Sequence, residues 1–335
     1  MNARALPYVL AVGALLGLTA LAFAVGRYPV SVSELLALLA AKVTGGGHAL
    51  PQNVETVVLQ VRGPRVAAAL LVGAALAAAG TAYQGMFRNP LVSPDILGVS
   101  TGAALGAVLG IFLSLEVLAI QLCAFGGGLA AVALVYGVGS RLRGHDPLLA
   151  LVLTGIVIGT LLGSGIALLK VLADPYNQLP AITFWLLGSL AAITPRDLAS
   201  AAPLALAGLV PMLLLRWRMN LLALPDDEAR ALGVDTAKLR AVVIAAATLM
   251  TASTVAISGI IGWVGLLIPH AARLLVGPGF GRLLPLAMLL GAGFLLAVDT
   301  LCRTIATIEV PPGVLTALIG TPFFLWLFAL TRRSW

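Results

Sequence analysis

Histidines, cysteines and carboxylates are scarce in this chain, and each shortage closes off a class of function. Three His and two Cys are too few and too scattered for a metal centre; Cys123 and Cys302 both fall inside apolar runs, so no disulfide is indicated either. Of thirteen Asp and Glu residues, Asp299 alone qualifies as a candidate for ion coupling within a span, since the other acids fall outside the spans or in their first two residues. It lies four residues before Arg303, where a local ion pair is the simpler role. An ion-coupled secondary transporter is thereby disfavoured, and the lack of a clustered acid, His or Cys constellation weighs against a membrane-embedded enzyme. No G-x-x-x-x-G-K-[ST] phosphate loop occurs, so the chain has no P-loop ATPase site of its own.

What is abundant is apolar. With 60% hydrophobic residues, 10% charged residues and a mean hydropathy of +1.07, the chain is an all-α polytopic membrane protein. A net charge of +7 and a pI near 10 would suggest nucleic acid in a soluble protein. Here the cations sit in short loops between apolar runs and read as topology signals, so no nucleic acid partner is expected. A bilayer core about 30 Å thick needs roughly 20 apolar residues per helix. Runs that meet or approach this length lie near 6–26, 64–86, 94–113, 115–140, 148–171, 197–215, 239–258, 260–275, 283–302 and 314–330, which predicts about ten transmembrane helices in a single membrane domain over 1–335. The first run has Arg4 before it but no clear small-x-small cleavage site before Arg27, so a retained helix is favoured over a signal peptide.

With the N-terminus in the cytoplasm, that side collects Arg4, Arg88, Arg141, Arg143, Arg216, Arg218, Arg230, Lys238, Arg240, Arg273, Arg282, Arg332 and Arg333, thirteen cations. The opposite side keeps seven: Arg27, Lys42, Arg62, Arg65, Lys170, Arg196 and Arg303. The bias places both termini in the cytoplasm, in a bacterial or archaeal inner membrane.

Nine of the thirty-three charged residues fall between Arg216 and Arg240, so this stretch is a hydrophilic cytoplasmic loop. Within it Pro225 and the acids Asp226, Asp227 and Glu228 suit a helix start, and Gly233 suits its end. Such a rigid element held in solvent reads as an offer to a partner; a merely solvated connection is the alternative. Between the first two spans, in the extracytoplasmic loop 27–62, Ser31 and Glu34 form an S-x-x-E capping box ahead of LLALLA, and Gly45 to Gly47 end that helix. At 181–190 the apolar piece opened by Pro180 is too short to span, so it is re-entrant or interfacial, with Phe184 and Trp185 as interface anchors or as part of a pathway mouth. Two four-residue glycine ladders stand out: Gly102, Gly106 and Gly110 are read as packing, and Gly155, Gly159 and Gly163 as packing or pathway.

The segment RGPRVAAALLVGAALAAAGTAYQGMFRNPLVSPDILGVSTGAALGA, with FWLLGSL, DDEARALGV, GWVGLLIPHAARLL and VPPGVLTALIGTPFFLWL in order after it, closely resembles FecCD-type permeases, which import iron-siderophores, haem and vitamin B12. The resemblance implies type II ABC importer architecture: a homodimer, two cytoplasmic ATPase subunits that bind ATP and Mg, and a periplasmic or lipid-anchored binding protein, with no cofactor in this chain. It assigns Arg62, Arg65 and Arg303 to binding-protein docking. It assigns Asp226, Asp227, Glu228, Arg230, Ala231, Leu232, Gly233 and Val234 to ATPase coupling. Three arginines on the side that the positive-inside rule disfavours also need a reason of their own, docking or snorkelling to lipid. At the cytoplasmic gate the chain departs from the vitamin B12 importers, with Leu148 and Leu149 at small polar positions; a leucine constriction would seal by dewetting, and leucines simply facing lipid are the alternative. The expected cargo is a ferric siderophore or haem, ahead of cobalamin. His270, beside Pro269, is read as making a structural hydrogen bond rather than ligating haem.

Overall fold

The computed structural model describes residues 5–26, 28, 30–44, 51–142 and 146–331. Arg4, Arg27, Arg143, Arg332, Arg333 and Gly45 to Gly47, used above for topology and helix ends, lie outside the described residues. Among the described residues all regular structure is helical.

Helix α1 (Leu6–Ala24) is followed by α2 (Val32–Thr44), which starts at the expected capping box. The Glu34 amide donates to Ser31 Oγ at 3.2 Å, and the Ser31 amide donates to Glu34 Oε2 at 2.7 Å. Those bonds hold the Glu34 carboxyl below its usual range. Helix α3 (Gln52–Thr56) runs on through a π-helical segment, Val57–Arg62, into α4 (Gly63–Met86). Pro64 lacks the amide that would bond back to the preceding turn, and the wider π turn accommodates the loss without breaking the axis. The result is one rod of 35 residues, Gln52–Met86.

The remaining helices are α5 (Val99–Phe112), α6 (Val117–Gly139), α7 (Pro147–Leu172), α8 (Gln178–Leu186), α9 (Pro195–Leu215), α10 (Asp226–Ala231), α11 (Thr236–Ser258), α12 (Val264–Val276), α13 (Phe280–Thr304) and α14 (Pro312–Thr331). Short caps set their starts. Asp146 accepts the Leu148 amide at 2.7 Å at the head of α7, Thr194 and Asp197 form a capping box on α9, and Asp235 accepts the Lys238 amide at 3.0 Å on α11.

Among the described residues seven helices are long and apolar enough to cross a membrane: α1, the α3–α4 rod, α6, α7, α9, α11 and α13. The runs expected at 94–113 and 260–275 instead give shorter apolar helices, whereas α14 runs for 20 residues and covers the run expected at 314–330. The cause is local backbone. Pro94–Leu97 forms a 3-10 turn closed by Gly98 at φ +76°, so α5 begins only at Val99. Gly259 at φ +66° and Trp263 at φ +71° likewise hold the chain out of the helix before α12. At about 1.5 Å per residue, 14-residue α5 is about 21 Å long, short of a bilayer core.

The core is built on α4, which packs against α13, α12, α11 and α9. Its closeness to its neighbours comes from glycine. A Cβ on Gly73 would overlap the Gly291 carbonyl of α13, and one on Gly80 would overlap the Gly265 carbonyl of α12. The ladder Gly102, Gly106, Gly110 does the same for α5 against α6, facing Gly127, Cys123 and Ile120. Helix α8 begins at Gln178, ahead of Pro180, because the Gln178 side chain ties it back to the Phe112 carbonyl at 2.8 Å. Its end is pinned where Ser189 N donates to Ser258 O at 2.8 Å and Gly313 N donates to Leu187 O at 3.1 Å. Trp185 packs inward, whereas Phe184 stands exposed.

Candidate functional site

At one end of the helices Arg62, Arg65 and Arg303 come together although about 240 residues separate the last from the first pair. Arg65, in the first turn of α4, donates Nε to Asp299 Oδ1 at 2.9 Å, and its Nη1 and Nη2 to Glu309 Oε1 and Oε2 at 3.2 and 2.9 Å. This is a fork-to-fork pair joined to a second carboxylate. Arg303 lies 3.4 Å from Asp299 Oδ2, the local pair read from the four-residue spacing, and its Nη2 donates to Ala22 O at 3.2 Å. Arg62 donates to the Phe23, Ala24 and Tyr28 carbonyls and so closes off the end of α1. Two of the three arginines are therefore neutralised within the chain, and all three are buried, with Asp299 fully so. An open docking surface of free arginines is not what the structure presents: the carboxylates of Asp299 and Glu309 already fill the Arg65 fork. Glu309 was missed from sequence. Its only signal is that it and Asp299 are the last two acids of the chain, in a region otherwise without negative charge.

At the opposite end of α4, α10 projects from the charged loop. Pro225 precedes it, three acids fill its first turn, and Gly233 at φ +81° ends it, with the Val234 amide donating to Ala229 O at 3.1 Å. Asp226 is the brace rather than a contact surface: it accepts from Arg240 Nη1 and Nη2 at 2.9 and 2.5 Å, with Arg88 at 3.6 Å. The Arg240 hydrogen bond holds the Asp226 carboxyl below its usual range. Arg88 in turn donates to the Leu222 and Leu224 carbonyls. Asp227, Glu228, Arg230, Ala231, Leu232 and Gly233 face outward, Leu232 being 62% exposed, while Val234 turns partly into the core.

Helix α7 divides its glycine ladder. A side chain on Gly155 would run into the Ile96 carbonyl, so this residue is a packing contact and does not line an opening, whereas Gly159 and Gly163 face open space. Leu148 is half-buried and Leu149 is exposed in the first turn. From there an exposed apolar face continues through Leu153, Ile156, Val157, Leu161 and Leu168. The hydrogen bond expected of His270 is not made. Both ring nitrogens are buried without a partner, and the ring sits edge-on to Phe324 with centroids 6.5 Å apart.

Residues 14–329 match the FecCD transport family. The chain is 42% identical to the molybdate import system permease protein MolB of Haemophilus influenzae, over 90% of this chain and 88% of that one. It is likewise 42% identical to the hemin transport system permease protein HmuU of Yersinia pestis, over 82% and 84% of the two chains. Among solved structures, a metal-chelate type ABC transporter in an inward-facing conformation superposes with a TM-score of 0.86 at 38% identity, covering 95% of this chain and 97% of the other. The family match over nearly the whole chain and the stack of long apolar helices agree: this multi-pass membrane protein belongs to the FecCD transport family.

Proposed function

We propose that the chain is the permease subunit of an ATP-driven ABC importer, working as a homodimer with two cytoplasmic ATPase subunits and a substrate-binding protein outside. Ten helices then cross the inner membrane, the short α5 and α12 and the 20-residue α14 included, with both termini and α10 on the cytoplasmic side. ATP and Mg belong to the ATPase subunits. The observation that carries this reading is α10: a capped, braced helix whose outer face offers exposed Leu232 beside exposed charges. It fits a partner that grips a short helix end and needs it rigid. At the other end, the binding protein would dock over Arg62, Arg65 and Arg303, with its own carboxylates exchanging for Glu309 on the Arg65 fork.

The pathway lies along the dimer axis and is lined by α7, where Gly159 and Gly163 leave room and Leu148 and Leu149 close the cytoplasmic mouth. The exposed face of α7 is mostly apolar, its Thr160 and Ser164 hydroxyls being turned to backbone carbonyls of the helix, and its one cation is Lys170 at the far end. That favours a large, partly apolar cargo, a ferric siderophore or haem, with cobalamin as the alternative, over a small oxyanion such as the molybdate for which one relative is named. Gly159→Leu tests the pathway: the variant inserts and dimerises normally but loses uptake in proteoliposomes, and normal uptake would remove α7 from the route. A binding screen of the partner binding protein against ferric siderophore, haem, cobalamin and molybdate decides the cargo; tightest binding of molybdate would overturn the chelate assignment.

A further inference from the structure

A cavity of about 680 Å³ opens beside α10, between the end of α4, the last turns of α12 and the start of α13. Arg88 and Arg273 both line it, and they are not equivalent. Arg88 is occupied by two carbonyls and by Asp226. Arg273 donates to Gln84 Oε1 at 3.2 Å and forms no ion pair among the described residues. Gln84 is itself held, donating Nε2 to Leu266 O at 3.1 Å, so it fixes the guanidinium in place without neutralising it. His270, with both ring nitrogens lacking partners, lines the same cavity. The wall thus carries one uncompensated positive charge and an unsatisfied imidazole.

The position is that of a membrane boundary. Helices α4 and α12 end here, α13 begins here, and exposed Trp217 packs against Gly281 next to Arg216, Arg218 and Arg282. Exposed tryptophan among arginines at helix ends is the residue mix of the headgroup layer. Deeper on the same α12–α13 pair lies a second cavity of about 410 Å³, lined by apolar residues including Leu267, Ile268, Ala271, Leu289 and Phe294.

We infer that the Arg273 cavity binds the phosphate headgroup of an anionic membrane lipid, whose acyl chain follows the apolar groove along α12 and α13. A phosphodiester carries one negative charge, which matches the single free guanidinium, and its oxygens accept from Arg273. A free phosphate shares the headgroup chemistry but has no use for the apolar groove. This site needs only that the chain sits in a bilayer, so it stands apart from the cargo and docking assignments.

The test uses the full-length protein in nanodiscs of equal phosphatidylglycerol and phosphatidylcholine, with tightly retained lipid measured by native mass spectrometry after detergent transfer. The expected result is an enrichment of phosphatidylglycerol by about tenfold, lost in Arg273→Gln and partly kept in Arg273→Lys, in line with a charge-assisted hydrogen bond. Gln84→Glu, which places a carboxylate beside the unaltered arginine, should also abolish the enrichment, and His270→Ala should weaken it less. Phosphatidylglycerol should raise the unfolding midpoint of the parent and leave that of Arg273→Gln unmoved. Equal retention of both lipids overturns the site. So does millimolar inorganic phosphate giving the same stabilisation, which would make it a soluble-anion site. Unchanged lipid retention in Arg273→Gln, with loss of ATPase-subunit binding instead, would assign the cavity to a protein carboxylate.

Discussion

Two charge clusters sit at the two ends of α4, and they are built to opposite rules. Around Asp299 the carboxylate is fully buried: each of its oxygens is met by an arginine, and the rest of the Arg65 fork is taken by Glu309. Around Asp226 the carboxylate is one-third exposed against a buried Arg240, and its effect is to point a helix outward. The same chemistry, carboxylate with guanidinium, serves in one case to lock the fold and in the other to aim a surface. Burial makes the difference, because a charge stripped of water has to be paired whereas a wet one gains little from its partner.

The largest effect expected from breaking this contrast is at Asp299. Asp299→Asn leaves Arg65 and Arg303 buried without their shared counter-charge and should cost about 3–5 kcal/mol. The check is the unfolding midpoint and monodispersity in detergent; an unchanged midpoint would mean the cluster does not lock α4 to α13. Next comes Leu232→Glu, which touches no contact inside the chain. It should leave folding intact and weaken binding of the ATPase subunit by about 10- to 100-fold, as for an interface anchor. Undiminished affinity, read by surface-immobilised titration, would sink the coupling role of α10.

Glu309→Gln sharpens the comparison from the other side. Its carboxylate is one-third exposed, so the loss of stability should be about 1 kcal/mol. Freed of this competitor, the Arg65 fork should bind the substrate-binding protein several-fold more tightly, with an affinity that falls as salt rises. Unaltered, salt-independent docking would leave the fork a purely structural device. The smallest effect is the pH dependence of the Asp226 brace. Because the folded carboxyl titrates below its usual range of about 4, its contribution is complete above that value and fades only as acid carries the pH through the lower folded one. Hydrogen exchange of α10 amides should therefore be flat from neutral pH to about 5, after correction for intrinsic rates, and lose protection below about 4. Asp226→Asn should remove that acid step.

Features written within a few residues were the legible ones. The capping box of α2 and the proline, acids and glycine that bound α10 could be read because each depends on local hydrogen bonds. The Asp299–Arg303 pair could be read because i and i+4 share a helix face. Nothing local announces that Arg65 reaches Glu309, 244 positions away, or that the arginines expected on a surface are sealed beneath an acid from a distant loop. The apolar runs located the helices but not their true lengths, since hydropathy is blind to the positive φ of Gly98, Gly259 and Trp263. The two fates within one glycine ladder, Gly155 against a backbone and Gly159 against open space, depend on which neighbour arrives and not on the glycines.

The unbroken rod from Gln52 to Met86 joins the two clusters mechanically. At about 1.5 Å per residue it is about 52 Å long, more than a bilayer core is thick. Arg62 and Arg65 lie in its first half, and Arg88 comes two residues past its end, against the loop that carries α10. A stiff lever of that kind has no slack in which to lose a displacement. Tilting it by about 5° moves one end by about 3 Å relative to the other over the ~36 Å of α4. Whatever seats itself on the outer end therefore shifts the footing of the helix at the inner end, without any change of fold between them.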